Sequence, residues 1–212
     1  MQGFQTLYPH LLRPPGTGIA TFSAGNQSTT QFLTQYYSLL YQRKVLTERQ
    51  ATHLWEKSIE NLTYAKVAII GVPLDTGAAI RRGAAYGPRG VRQALALFKK
   101  FQQWVKSGTI IDLGDLYVNP HLLHDEMLNK NQILVCQKAM YTHASHGLRS
   151  TLAVSALSQT KQILQALMHD FPHLRLFIIG GDHSVAWPVT QVLSKRFLQT
   201  LGIVQPDAHT DL

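Results

Sequence analysis

Three short stretches constrain this chain more than anything else in it: "KVAIIGVPLD" (66–75), "TIIDLGD" (109–115) and "LRLFIIGG" (174–181). Each is a continuous aliphatic, largely β-branched run stopped by Gly, Pro or Asp. The first of them suits a strand buried on both faces, and the other two read as the second and third strands. "LGIVQPD" (201–207) predicts a fourth. Between the runs the apolar positions follow helical spacing. One helix is expected from about Pro88, with Val91, Leu95, Phe98 and Val105 on a stripe. Another is expected from about Ser150 to Met168, with Leu157, Leu164 and Leu167 inward, and a third over "VAWPVTQVLSKRF". Strands alternating with helices of this length predict an α/β fold, a parallel sheet flanked by helices on both faces. Such sheets bind ligands at the carboxyl ends of their strands.

The N-terminal part reads differently. Residues 1–28 are rich in Pro, Gly, Ser, Thr and Gln without a period and predict an irregular arm. From Thr29, Phe32, Tyr36, Leu39 and Leu40 recur at helical spacing. Thr47 and Gln50 in "TERQ" form a capping-box pattern ahead of a helix with Ala51, Leu54, Trp55 and Ile59 on one face. Residues 116–148 are polar and predict a long loop with a short helix. The expected division is an N-terminal arm with helices over 1–62 and the α/β domain over 63–212.

Bulk properties narrow the function classes. A chain of 212 residues fits one domain with a substantial core. The longest apolar runs are far shorter than a membrane span, and the N-terminus lacks a basic region leading into an apolar one. A single cysteine, Cys136, excludes an internal disulfide, and the expected location is the cytoplasm. The formal charge of +8 comes from basic residues scattered singly or in pairs, without the aromatic interleaving that stacks bases, so no nucleic-acid partner is expected. No membrane partner is expected either.

Chemistry concentrates in "GGDHS" (180–184) and "DAHTD" (207–211). On an extended segment Asp207, His209 and Asp211 point the same way, just past an apolar run. Two carboxylates and an imidazole on one side would repel one another without a cation. Oxygen ligands with some imidazole suit Mn²⁺ or a similar divalent ion, and a lone cysteine argues against a thiolate zinc site. His183 ends the preceding strand, where it could reach the same point. Gly180 and Gly181 leave room for metal or substrate, and Asp182 could orient an imidazole.

These two motifs resemble signature motifs of the ureohydrolases, the arginase and agmatinase family. "GVPLDTGAAIRRGAAYGPRGVR" (71–92) resembles the family's first strand and following loop, with Arg82 where the family often has proline; "IDLGD" resembles its second strand. The resemblance runs from about Lys66 to Leu212 and implies an arginase-like three-layer fold with a binuclear manganese centre. A hydroxide held between the metals would attack a guanidinium carbon, releasing urea and an amine. By motif position His183 and His209 would each bind one metal, Asp207 would bridge them, and Asp211 would bind the first metal and hold the hydroxide as the catalytic group. An agmatine-like guanidino substrate is implied first, with arginine and formimidoylglutamate as alternatives, and a homo-oligomer is expected. The family's third metal motif, Ser-x-Asp-x-Asp-x-x-Asp-Pro, has no counterpart in the 212 residues. The expectation is therefore a truncated domain with impaired activity, or a non-catalytic remnant, holding one metal or none and exposing an open strand edge.

Overall fold

The computed structural model describes residues 2–19, 27–45, 47–78 and 81–207, with the side chains of 27–33 and 199 outside that description. Four strands, β1 (Leu12–Arg13), β2 (Val67–Gly71), β3 (Ile110–Leu116) and β4 (Arg175–Ile179), form one sheet in the order β1-β3-β2-β4. The three apolar runs are β2, β3 and β4, and β2 pairs in parallel with both of the others. Its side chains alternate between two cores: Ala68 and Ile70 join the larger, Ile69 the smaller on the other face. The helices α1 (Phe4–Leu11), α8 (Ala156–Asp170) and α9 (Ala186–Phe197) contribute Leu7, Leu11, Leu164, Leu167 and Val192 to the larger core. Tyr36 of α2 (Gln27–Tyr41) and Phe101 and Val105 of α5 (Lys99–Lys106) build the smaller. The result is the three-layer α/β arrangement that the motifs implied. No helix among the described residues is long and apolar enough to cross a membrane.

Four expectations change. The N-terminal arm is not irregular over 4–13: α1 packs in the core, and β1 pairs antiparallel with β3, making the sheet mixed. Asp170 at the end of α8 holds α1 in place by accepting the Phe4 amide at 2.6 Å. The long helix from Pro88 is two, α4 (Gly87–Leu95) and α5, because its inward face is not the apolar stripe. Arg92 points inward and is fully buried, while Val91 and Phe98 are 38% and 63% exposed. The polar stretch 116–148 includes an eleven-residue helix, α6 (Lys130–Met140), and α7 (His146–Arg149) follows. Residues 201–207 do not form a strand: they join no ladder among the described residues, Pro206 lacks an amide to donate, and Ile203 and Val204 are exposed. The Thr47 cap is present, its hydroxyl accepting the Gln50 amide at 3.2 Å ahead of α3 (Glu48–Ile59).

One polar network crosses the sheet. Arg92 donates through Nε and Nη2 to both oxygens of Asp112 at 2.7 and 2.9 Å, through Nη1 to Asp115 at 2.5 Å, and through Nη2 to the Gly114 carbonyl. Tyr36 donates its hydroxyl to Asp112 at 2.8 Å, and the Gly16 amide donates to Asp115 at 2.7 Å. Three positions apart on a regular strand, Asp112 and Asp115 would face opposite ways. A bulge brings them together: Ile69 pairs with Asp112 but Gly71 with Asp115, so β3 carries one extra residue. Gly114 sits there at φ +87°, and a β-carbon on it would lie 1.9 Å from the Arg13 carbonyl oxygen. Only glycine serves.

Candidate metal centre and the loop around it

β4 ends at Ile179, and the chain crosses Gly180 and Gly181 into a short 3₁₀ turn, His183–Val185, that leads into α9. The crossing is tight. A β-carbon on Gly181 would stand 1.9 Å from the Leu74 carbonyl oxygen and 2.9 Å from that of Ala84. Asp182 locks the turn. Its amide donates to the Leu74 carbonyl at 2.9 Å, one carboxylate oxygen accepts from the amide and hydroxyl of Ser184, and the other accepts the Gly77 amide at 2.7 Å. Asp182 therefore fixes backbone instead of orienting an imidazole, because the nearest donors are amides of its own turn and of the loop after β2.

This anchoring leaves the His183 ring projecting outward, its side chain 56% exposed. Its Nδ1 lies 3.9 Å from Oδ2 of Asp207, whose side chain is 29% exposed. At that separation the two side chains face each other but are too far apart for a hydrogen bond. The structure thus brings together the first and second of the four anticipated ligands; His209 and Asp211 lie outside the described residues. Among the described residues no group of three or more His, Cys, Asp or Glu side chains is placed to hold a metal. An imidazole and a carboxylate are suitable donors for a hard-to-borderline divalent ion, but two ligands do not complete a coordination sphere.

The loop between β2 and α4 forms the wall beside this turn. Asp75, just past β2, accepts the Gly83 amide at 2.7 Å, and Arg82 Nη1 bonds both its carboxylate (3.1 Å) and its carbonyl oxygen (2.6 Å). The Gly83 amide, aided by Arg82, holds the Asp75 carboxyl below the usual carboxylate range against the opposing effect of burial. One carboxylate thereby closes the loop 75–83 on itself. At its far end the loop meets the glycine pair, where a β-carbon on Gly87 would come within 2.9 Å of the Gly180 carbonyl oxygen. Sequence reasoning gave Asp75 no role; its position as the acidic end of an apolar strand was the available signal.

Comparison with known proteins covers the same region. The model of the Arginase family matches residues 65–212. The chain is 28% identical over 149 residues to the guanidino acid hydrolase of Homo sapiens, named mitochondrial, a match covering 68% of this chain and 33% of that protein. It is 26% identical over 149 residues to the mitochondrial agmatinase of Gallus gallus, covering 68% and 34%. It is 30% identical over 151 residues to the guanidinopropionase of Pseudomonas aeruginosa, covering 69% and 37%. The chain thus spans about a third of the length of the curated relatives it matches. The match includes β2, Arg92 with Asp112 and Asp115, the glycine pair and the Asp207 segment: the chain belongs to the Arginase family, the ureohydrolases.

Proposed function

We propose that this chain carries part of a Mn²⁺-dependent site that hydrolyses a guanidino compound to urea and an amine, with agmatine-like molecules as first candidates. The observation that carries the reading is the approach of His183 and Asp207, from two different chain segments, to 3.9 Å beside the glycine turn. His183, Asp207, His209 and Asp211 would hold the ion. When bound, a divalent ion lowers the pKa of a water and stabilises charge developing on the substrate.

The chain's own residues supply the surroundings. Gly180 and Gly181 let the turn pack closely against Leu74, Ala84 and Val185, which fixes where the His183 ring is presented. Asp182 holds that turn through Gly77 and Ser184, so the ring is presented from a fixed backbone. Asp211 is assigned the role of accepting a hydrogen bond from the attacking water and aiming it at the guanidinium carbon. The bond from that carbon to the substituted nitrogen breaks, and the nitrogen leaves with a proton as the amine.

The test is equilibrium dialysis of the purified chain against Mn²⁺, paired with assays for urea from agmatine, arginine and guanidino acids and for formamide from formimidoylglutamate. The reading expects binding that weakens at least tenfold in both His183→Ala and Asp207→Asn. Binding that ignores both substitutions overturns the metal assignment. Metal binding without release of urea or formamide leaves the metal assignment standing and overturns the hydrolytic one.

A further inference from the structure

We infer that the corner between α4 and α5 is a docking surface for an anionic lipid bilayer. Leu97 and Phe98 enter the interface, and Lys99, Lys100 and Lys106 meet the headgroups. The inference is independent of the catalytic reading and concerns a different part of the molecule.

The inward side of this segment is already occupied, since Phe101 and Val105 are buried with Tyr36, Ile69 and Ile179. Leu97 and Phe98 turn the other way and are 82% and 63% exposed. A leucine with so little cover stands on a convex tip and not in a groove. Trp104 of α5 is 44% exposed, and the Lys100 ammonium lies 5.9 Å from the centre of its ring. Single exposed apolar residues are ordinary. A leucine and a phenylalanine in succession, with a tryptophan further along the same short helix, mark a contact surface.

The charge around this tip has one sign. Lys99, Lys100 and Lys106 are exposed, and among the described residues none of them is ion-paired with a carboxylate. The sequence from Thr76 to Ile111 contains no Asp or Glu. The neighbouring helix α2, which packs on both α4 and α5, contains none either. Just after α2, the Gln42 side chain donates to the Lys106 carbonyl at 3.3 Å, and the exposed Arg43 and Lys44 follow.

These features select among occupants. A second copy of this chain, laid on the corner by a two-fold axis, sets lysine against lysine. A folded acidic protein needs a pocket shaped to the tip. A leaflet parts around the tip, and its acidic headgroups supply the opposite charge. Lysine suits that boundary because its stem lies along apolar surface while its ammonium stays in water. The missing membrane-spanning run, from which no membrane partner is expected, bears on crossing a bilayer and not on contact with one face. α4 starts where Gly87 meets the Gly180 carbonyl and rises roughly 14 Å, so the corner lies a helix length from the glycine turn.

Flotation of the full chain with lipid vesicles tests the inference. Phosphatidylcholine vesicles containing phosphatidylserine are expected to bind it at least about tenfold more strongly than phosphatidylcholine alone, and the advantage shrinks as salt is raised. Lys99→Gln combined with Lys100→Gln lowers binding to the anionic vesicles about tenfold, and Leu97→Gln combined with Phe98→Gln does the same. Tryptophan emission shifts to the blue on vesicle binding. Trp104→Phe removes that shift, whereas Trp187→Phe, at an exposed residue of α9, preserves it. Equal partition onto both vesicle types, or binding to neither, overturns the inference. So does binding unmoved by both double substitutions in chains whose circular dichroism is unchanged. Capture by soluble poly-glutamate that matches the anionic vesicles and ignores Leu97→Gln with Phe98→Gln makes the occupant an acidic protein and overturns the bilayer.

Discussion

Asp112 and Asp115 meet their cation where water is excluded, whereas Asp207 meets His183 at the surface. In the first region Arg92 is fully buried and its Nε and both terminal nitrogens donate to Asp112, Asp115 and the Gly114 carbonyl. Burial alone would lower the Arg92 pKa, but the two aspartates more than offset it, so the guanidinium stays charged. In the second region the two partners stand 3.9 Å apart, with side chains 56% and 29% exposed. The same kinds of charged group therefore do different work. Saturated and enclosed, they tie α4 and α2 to the sheet. Partly exposed at the mouth of a turn, His183 and Asp207 can be reached from solvent.

The largest effect is expected at Arg92. Arg92→Met leaves two carboxylates buried without a counter-charge, and urea unfolding should show a loss of about 3–5 kcal/mol. A loss below about 1 kcal/mol would remove the contrast between the regions. Asp182→Ala comes next, at about 1–2 kcal/mol, because it uncaps the Ser184 and Gly77 amides. Hydrogen exchange at Gly77 should accelerate in the same variant.

Asp75 sharpens the comparison through pH. Its folded pKa is depressed, chiefly by the Gly83 amide, so its contribution to stability is present above the unfolded value of about 3.9. That contribution is lost as pH falls through the lower folded value. Unfolding midpoints measured from pH 6 down to pH 2 should fall less steeply at the acid end in Asp75→Asn than in the unmodified chain. The smallest effect on stability is expected at His183. His183→Ala should change the unfolding free energy by less than about 0.5 kcal/mol, as befits an exposed, weakly paired side chain. A change as large as that of Asp182→Ala would make His183 a structural residue instead of a ligand.

Much of the frame was legible. The runs that became β2 and β3 stood out because a strand covered on both faces needs apolar side chains in succession, whereas β4 is an edge strand that exposes Arg175 and Phe177. The Thr47 cap was readable because it is local. By contrast, β1 is two residues whose pairing is set by Leu116 and Asp115, about a hundred positions away, and no local pattern announces that. Arg92 was misplaced because periodicity counts arginine as an outward residue, and only the carboxylates of a distant strand make its burial tolerable. The stretch 201–207 has strand composition, but composition does not supply a neighbouring strand.

By itself, then, the order of residues determined the alternation of apolar runs and helices, the glycine turn carrying His183, and the membership that those motifs signal. All of these follow from local propensity and hydrophobic period, which act over a few residues. Only the tertiary structure decided that Asp112 and Asp115 share one cation, that Asp182 grips a loop instead of an imidazole, and that His183 and Asp207 face each other. Each of these depends on a bulge or a close approach between segments far apart in the chain, and such contacts are set by packing.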